Sequence, residues 1–183
     1  MKVLVTGGAG YIGSHPAVEL IQAGYEAIIV DDLSNAKEDV IDRIETITGK
    51  RPVFYKEDCK DKEAMRKIFS ENKIDAIIHF AAYKAVGESV QKPLEYYRNN
   101  LDSTLTLMEV MEEFGCKKFV FSSSATVYGP NNPYPYKEEM KAIESTSPYG
   151  WTKVMIERIL TDYVTAHPDY CAVLLRYFNP IGS

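Results

Sequence analysis

The sequence predicts an α/β fold in which helices cover both faces of a parallel sheet. Two observations lead to this prediction. Short runs rich in β-branched residues alternate with longer helical stretches along the chain, and a glycine-rich turn joins the first predicted strand to the first predicted helix. The chain has 183 residues, of which 45% are hydrophobic, so we expect one domain, spanning 1–183, around a single core.

The predicted elements alternate strictly between strand and helix. The six strands are the apolar runs KVLVT, AIIV, PVFY, DAIIHF, KFVFS and AVLLRY, at 2–6, 27–30, 52–55, 75–80, 118–122 and 172–177. The helices are predicted at 12–23, 36–48, 62–70, 93–114 and 149–167. Gly24 and Gly115 stand where a helix ends in a left-handed residue. The stretch 123–147 is long for a connection and is therefore predicted to be a functional loop.

Composition excludes several classes of protein. A net charge of -5 without clustered Lys and Arg argues against binding to nucleic acid. Cys59, Cys116 and Cys171 are too far apart for a disulfide framework or a zinc site, so no metal is expected. No leader peptide is expected from the first residues, and no apolar run reaches the roughly 18 residues that span a bilayer. We therefore expect a cytoplasmic protein without a membrane partner.

The turn TGGAGYIGSH carries both spacings of a dinucleotide-binding fingerprint. Gly8, Gly10 and Gly13 satisfy G-x-G-x-x-G, while Gly7, Gly10 and Gly13 satisfy G-x-x-G-x-x-G. Glycines let the backbone approach a pyrophosphate, which then meets the positive end of the following helix. Asp31 closes the second strand, where a carboxylate accepts hydrogen bonds from a ribose and repels a 2′-phosphate. A tight structural turn is the alternative, but the combination favours a Rossmann-type doubly wound sheet that binds NAD.

The segment SPYGWTK suggests a catalytic pair. Tyr149 and Lys153 are four residues apart, so they share one face of a helix. A nearby ammonium is expected to lower the pKa of the tyrosine from its usual value of about 10 toward that of a useful general base. Ser124, at the carboxyl end of the fifth strand, is placed to bind the substrate hydroxyl group from which Tyr149 would take a proton. The alternative is an ordinary amphipathic helix with a half-buried Tyr and a solvated Lys, which the dinucleotide turn makes less favoured.

The motifs TGGAGYIGSH, DDLSNA, FSSSATVYG, SPYGWTK and LRYFNPIG resemble the extended short-chain dehydrogenase/reductase family and, within it, the UDP-glucose (UDP-galactose) 4-epimerases. The resemblance covers the chain from Lys2 to Ser183. It implies an NAD-dependent isomerase that reversibly inverts C4 of a UDP-hexose through a 4-keto sugar. It also implies a homodimer.

The resemblance assigns roles to particular residues. The catalytic set is Ser124, Tyr149 and Lys153. The substrate-binding set is Lys84, Ser124, Tyr149 and Asn179. The cofactor-binding set is Gly7, Gly10, Tyr11, Ile12, Gly13, Asp31, Asp32, Asn35, Asp58, Cys59, Phe80, Ala81, Ala82, Lys84, Asn99, Ser124, Tyr149, Lys153 and Phe178.

The chain departs from the family at Pro16, Asp32, Cys59 and Tyr83. Pro16 is expected in the first turn of its helix, where a missing N–H is tolerated. Asp32 adds a second negative charge beside the ribose site, and Tyr83 is bulky beside the proposed cofactor.

The sequence leaves two other functions open. We expect the chain to end before a substrate domain, so that turnover by this chain alone is weak or absent and it acts as an NAD-binding module. The other alternative is a nucleotide-sugar dehydratase or decarboxylase of the same family. Dehydration is disfavoured because Ala125 and Thr126 stand where dehydratases carry an acidic pair.

Overall fold

A computed structural model describes residues 1–142 and 144–181 of the chain. The strands are β1 (Lys2–Thr6), β2 (Glu26–Val30), β3 (Val53–Tyr55), β4 (Ala76–His79), β5 (Lys118–Ser124) and β6 (Cys171–Tyr177). The helices are α1 (Tyr11–Gln22), α2 (Asp39–Thr48), α3 (Lys62–Glu71), α4 (Val86–Gln91), α5 (Pro93–Glu113) and α6 (Pro148–Ala166), with a short 3-10 turn at Ala125–Tyr128.

The strands form a single parallel sheet in the order β3-β2-β1-β4-β5-β6. The chain therefore builds outward from β1 to β3 and then returns to place β4 on the other side of β1. This order is the doubly wound topology that the sequence predicts. The direction of winding reverses between β1 and β4, and the helices that follow these strands diverge there, which opens a crevice at the carboxyl edge.

Helices cover both faces of the sheet, as predicted. On one face α1 and α2 pack on β2, with Ala17, Ile21, Ile41 and Ile44 against Ala27 and Ile29. On the other face α3, α5 and α6 pack on the central strands, with Met65, Ile68, Leu107, Met111, Ile156 and Leu160 against Leu4, Ile28, Ile77 and Phe121. The larger core therefore lies beneath α5 and α6, the helices that carry the carboxyl half of the candidate site.

The structure corrects several predicted boundaries. The helix α4 was not predicted because its six residues are mostly exposed and have no apolar stripe. Strand β5 continues to Ser124 rather than ending at residue 122, because its pairing with β6 extends to Ser124 and Tyr177. Helix α1 begins at Tyr11, so Pro16 lies in its second turn, and the prediction of a first-turn position was wrong. Gly24 and Gly115 have φ angles of 83° and 69°, which confirms the predicted left-handed helix ends.

Helix α5 spans 21 residues and presents one buried and one solvated side. Leu107 is fully buried against the sheet, whereas Leu105, two residues away, is 41% exposed. Within 1–142 and 144–181, no helix combines the length and the apolar composition needed to cross a membrane.

Replacing Leu107 by Ala should lower the free energy of unfolding by about 2–5 kcal/mol, because it leaves a cavity in the main core. Leu105→Ala removes the same atoms from a partly solvated site on the same helix and should cost less than about 1 kcal/mol. Urea titration followed by circular dichroism measures both values. Equal losses would show that α5 does not face the sheet in the way described.

Candidate functional site

The glycine turn packs tightly against the loop that follows β4. Gly7 has a φ of 68°, and a Cβ atom there would lie 2.7 Å from the backbone nitrogen of Ala81. A Cβ on Gly13 would overlap the carbonyl oxygen of Gly7. In the described chain no side chain caps α1 at its N-cap residue, Gly10. A phosphate placed at this helix end therefore meets backbone N–H groups and the positive end of the helix dipole.

Asp31 ties the end of β2 to the glycine turn. Its carboxylate is buried and accepts hydrogen bonds from the N–H of Ala9 at 3.1 Å and of Leu33 at 2.9 Å. Burial raises the pKa of Asp31, and these two hydrogen bonds oppose the rise. Each carboxylate oxygen can accept a further hydrogen bond, so the group remains suited to ribose hydroxyls. The neighbouring Asp32 is exposed and binds only the N–H and hydroxyl of Ser34 among the contacts described.

The loop after β3 reaches α5 through Lys60. The ammonium of Lys60 donates to the side-chain oxygen of Asn99 at 2.6 Å and lies 3.2 Å from a carboxylate oxygen of Asp58. Between Asp58 and Lys60, Cys59 is buried, and burial raises the pKa of its thiol to about 12. Cys59 is therefore a neutral packing residue in the wall of the cleft. Sequence reasoning missed Lys60, because nothing in its local pattern indicates a partner 39 residues away.

Asn100 organises the loop after β4. The side chain is fully buried; it accepts from the N–H of Tyr83 at 2.8 Å and donates to the carbonyl of Tyr83 at 3.0 Å. It also donates to the hydroxyl of Thr152 at 3.0 Å, and Thr152 donates to the carbonyl of Tyr149 at 2.6 Å. One amide thus joins the loop to α6. Sequence analysis did not single out Asn100, although a polar residue seven positions before Leu107, on the buried face of α5, was the available signal.

Helix α6 begins next to the carboxyl end of β5. Ser147 caps the helix by accepting from the N–H of Gly150 at 3.2 Å, and Pro148 follows at a position that needs no donor. This start places Tyr149 beside Ser124, whose hydroxyl favours the phenolate and opposes the rise in its pKa. One turn later, the ammonium of Lys153 donates to the carbonyl of Ser122 at 2.7 Å.

The three side chains predicted to be catalytic are thus brought together. The nitrogen of Lys153 lies 5.8 Å from the centre of the Tyr149 ring and 4.7 Å from that of Phe121. Lys153 is only 3% exposed, so it is not the solvated lysine of an ordinary amphipathic helix. Ser124 lies beside Tyr149 at the end of β5 and acts on its pKa.

The prediction that Lys153 lowers the pKa of Tyr149 was wrong for this structure. Burial raises the pKa of Tyr149, and the hydrogen bond with Ser124 offsets only part of the rise. Burial also lowers the pKa of Lys153 to about 7, against the opposing charge of Glu157. The sequence argument counted the attraction between the two groups but not the loss of water around each of them.

A continuous cleft connects the glycine turn to Tyr149 and Lys153. Most of the predicted cofactor-binding residues line it: Gly7, Gly10, Tyr11, Ile12, Gly13, Asp31, Asp32, Asn35, Asp58, Cys59, Phe80, Ala81, Ala82, Lys84, Asn99, Tyr149 and Lys153. It is also lined by Ser34, Ala36, Glu57, Tyr83, Ser103 and Ser122, of which only Tyr83 drew attention in the sequence. Tyr83 is held at the rim, with its ring 5.4 Å from that of Tyr96.

Three predicted residues are not among those that line this cleft: Ser124, Phe178 and Asn179. Phe178 and Asn179 follow β6 and are exposed, and the ring of Phe178 lies 6.4 Å from that of Tyr136. The structure therefore brings most of the predicted cofactor-binding residues together with Tyr149 and Lys153 and places Ser124 beside Tyr149, but it leaves Phe178 and Asn179 outside this group.

His79 has a structural role. It is buried, and its ring nitrogens lie 2.7 Å and 3.1 Å from the hydroxyls of Thr6 and Thr104. Burial, with a contribution from the charge of Lys153, lowers its pKa to about 3, so the ring stays neutral. Among the described residues no group of His, Cys, Asp and Glu is arranged to hold a metal ion.

Known proteins are similar to this chain in both sequence and structure. The UDP-glucose 4-epimerase of Bacillus subtilis is 54% identical over 183 residues, which are all of this chain and 54% of that protein. The structure of the Bifidobacterium longum UDP-glucose 4-epimerase in complex with NAD+ and UDP matches with a TM-score of 0.98 at 50% identity, covering 100% of this chain and 54% of that one. The Stenotrophomonas maltophila enzyme with bound NAD and formylated UDP-arabinopyranose matches with a TM-score of 0.96 at 46% identity and the same coverage.

The chain thus spans about half the length of these relatives. Residues 3–183 match the NAD dependent epimerase/dehydratase family, which is nearly the whole chain. The glycine turn, Asp31 and the group around Tyr149 all lie within this matched range. The chain belongs to the NAD-dependent epimerase/dehydratase family.

Proposed function

We propose that this chain binds NAD and carries the proton-transfer residues of a UDP-hexose 4-epimerase. The observation that supports this most directly is the single cleft that has Asp31 and the glycine turn at one end and Tyr149 and Lys153 at the other. The relatives named UDP-glucose 4-epimerase, including one solved with NAD+ and UDP, support the substrate class.

The residues present fit NAD on structural grounds. Side chains at Gly7 or Gly13 would fill the space between the turn and its neighbours, so the backbone there stays bare for a pyrophosphate. Asp31 offers a buried carboxylate for the two hydroxyls of an adenosine ribose and no positive charge for a 2′-phosphate. When bound, NAD supplies a hydride acceptor and a positive charge.

Tyr149 is the proposed proton acceptor for the 4-hydroxyl of the sugar. Because burial raises its pKa, the phenol is the resting form. It can accept the sugar proton only after it has lost its own proton to solvent, and the resulting phenolate requires positive charge close to the ring. Lys153 supplies such a charge in its protonated form, 5.8 Å from the ring centre. Ser124 orients the phenolic oxygen and is placed to share the sugar hydroxyl. The same phenol returns the proton after the 4-keto sugar has presented its opposite face.

Lys84 and Asn179 complete the proposed substrate contacts. Lys84 lines the cleft beyond β4, while Asn179 follows β6 on an exposed segment. We further propose that the protein is a homodimer. The groove between α5 and α6, lined by Leu105, Met108, Ile159 and Tyr163 among others, is the surface on which a second copy would pack.

Dehydration receives no support from the site. Ala125 and Thr126 follow Ser124 in the 3-10 turn, and the hydroxyl of Thr126 donates to that of Ser124 at 3.1 Å. Neither side chain is an acid strong enough to protonate a leaving group. The competing function is an NAD-binding module without turnover. The epimerisation assay of a chimera distinguishes between the two functions.

Calorimetric titration should show saturable binding of NAD and much weaker binding of NADP. Asp31→Asn should weaken NAD binding by about tenfold or more and reduce the preference over NADP, because hydrogen bonds to a charged group contribute about 1.5–3 kcal/mol. Asp39→Asn removes an exposed carboxylate paired with Arg43 on α2 and is the matched control. If neither nucleotide binds the folded chain, the proposed cofactor is wrong.

Lys153→Met should change how stability depends on pH. The pKa of Lys153 in the fold, about 7, lies below its ordinary value of 10.5, so between these values the unfolded chain binds one more proton than the folded chain. Stability of the natural chain should therefore rise relative to Lys153→Met as pH increases from about 7 to 10, by at most about 1.4 kcal/mol per pH unit.

Urea unfolding at a series of pH values measures this difference. Lys141→Met, which removes an exposed ammonium, should leave the pH dependence of stability unchanged. A difference in free energy of unfolding between the natural chain and Lys153→Met that does not change with pH, as expected for the control, would show that Lys153 is not held in a desolvated position.

Epimerisation is best measured in a chimera, because the relatives are nearly twice as long as this chain. The chimera joins residues 1–183 to the remaining sequence of the Bacillus subtilis relative, and conversion of UDP-galactose to UDP-glucose is followed by chromatography. Tyr149→Phe should reduce the rate by about 10²-fold or more while leaving NAD bound, since a general acid–base group contributes about 10²–10⁴-fold.

The chain alone, assayed in parallel, is expected to show little or no turnover. A fully active Tyr149→Phe chimera would overturn the assigned role of this residue. A chimera that binds NAD but lacks all turnover would favour the NAD-binding module instead.

A further inference from the structure

Glu157 is a buried carboxylate that the proposed reaction does not use. It lies on α6 one turn after Lys153 and is only 4% exposed. Its Oε1 atom accepts from the hydroxyl of Ser123 at 2.5 Å and from Nε of Arg176 at 3.1 Å, and its Oε2 atom accepts from Nη2 of Arg176 at 2.9 Å. One side chain therefore joins α6 to both β5 and β6.

The position of Ser123 gives this link its significance. Ser123 lies between Ser122, whose carbonyl accepts from Lys153, and Ser124, whose hydroxyl opposes the rise in the pKa of Tyr149. Side chains of successive strand residues point to opposite faces, and Ser123 is the buried one of the three. Through this hydroxyl, Glu157 holds the carboxyl end of β5, which carries both Ser122 and Ser124.

Arg176 holds Glu157 from the opposite side. It pairs with Ser123 in the register between β5 and β6, so its guanidinium reaches the same carboxylate. Its Nη1 atom donates to the carbonyl oxygens of Glu138 at 3.2 Å and Met140 at 2.9 Å. A buried pair of this kind has a large desolvation cost and contributes little net stability, so a role in fixing geometry accounts for it better than a role in stability.

We propose that Glu157 is a positioning residue that fixes the carboxyl end of β5 against α6, so that Lys153 keeps its hydrogen bond to the Ser122 carbonyl and Ser124 stays beside Tyr149. The importance of this arrangement for catalysis rests on the function proposed above. The geometry itself is independent of NAD and of turnover, so it can be tested even if that function fails.

The negative charge of Glu157 also acts on the ammonium of Lys153. It favours the protonated form of Lys153 and opposes the effect of burial. Among the described residues, the other polar groups near Lys153 are Tyr149 on its own helix, the neutral ring of His79 on β4, and the carbonyl of Ser122 on β5. Glu157 is therefore the acidic group among these neighbours.

The pKa of Lys153 reports on this arrangement directly. It is measured by carbon NMR of the lysine Cε resonances against pH, with the Lys153 signal assigned by its loss in Lys153→Arg. Ser123→Ala keeps the charge of Glu157 but releases the strand end, so water reaches the ammonium and its pKa should rise by roughly one unit. Glu157→Gln keeps an oxygen acceptor for Ser123 but removes the charge, so the pKa should fall by roughly one unit.

Asp162→Asn is the matched control. Asp162 is an exposed acid on the same helix, paired with Arg158, and its loss should leave the pKa of Lys153 unchanged. If Ser123→Ala and Glu157→Gln both leave that pKa at the natural value and only lower the melting temperature, Glu157 merely stabilises the fold and the proposal is wrong. If Glu157→Gln fails to fold, the result for Ser123→Ala alone decides, with an unchanged pKa again counting against the proposal.

Discussion

The parallel pairing of β4 with β1 is the constraint on which the site depends. Val3 to Thr6 pair with Ala76 to His79, so the chain that has wound outward to β3 returns to the opposite side of β1. The glycine turn after β1 and the loop after β4 then emerge side by side. Their contact is so close that a Cβ on Gly7 would meet Ala81, and the cleft begins at this contact.

Buried polar groups position the end of the cleft near Tyr149 and Lys153, and each has hydrogen-bond partners far away in the sequence. Asn100 joins the loop after β4 to α6, Lys153 joins α6 to β5, and Glu157 joins α6 to β5 and β6. Such groups add little net stability, because each hydrogen bond mainly offsets the cost of removing the group from water. They restrict the sheet edge and α6 to one relative arrangement, which an apolar contact of the same size would specify less strictly.

The features that were predictable from sequence are those encoded locally. The apolar strands, the helix ends at Gly24 and Gly115, and the spacing of the glycine turn each follow from residues within a few positions of one another. Asn100 and Lys60 were missed because their partners lie 52 and 39 residues away. The pKa of Tyr149 was predicted in the wrong direction for a related reason, since burial depends on packing by the whole chain. The roles assigned to the individual site residues remain predictions, and two of these residues, Phe178 and Asn179, do not line the cleft.

The two ends of the cleft differ in their electrostatics. Near the glycine turn, Asp31 is kept in place by backbone N–H groups, which oppose the rise in its pKa and suit it to accept hydrogen bonds. Near Tyr149, burial favours the uncharged forms of both the phenol and the amine. The proposed transfer of a proton from a sugar hydroxyl to Tyr149 therefore requires positive charge, which Lys153 and the cofactor would supply. Because the pKa of Lys153 is about 7, a small change in its surroundings decides whether that charge is present at neutral pH.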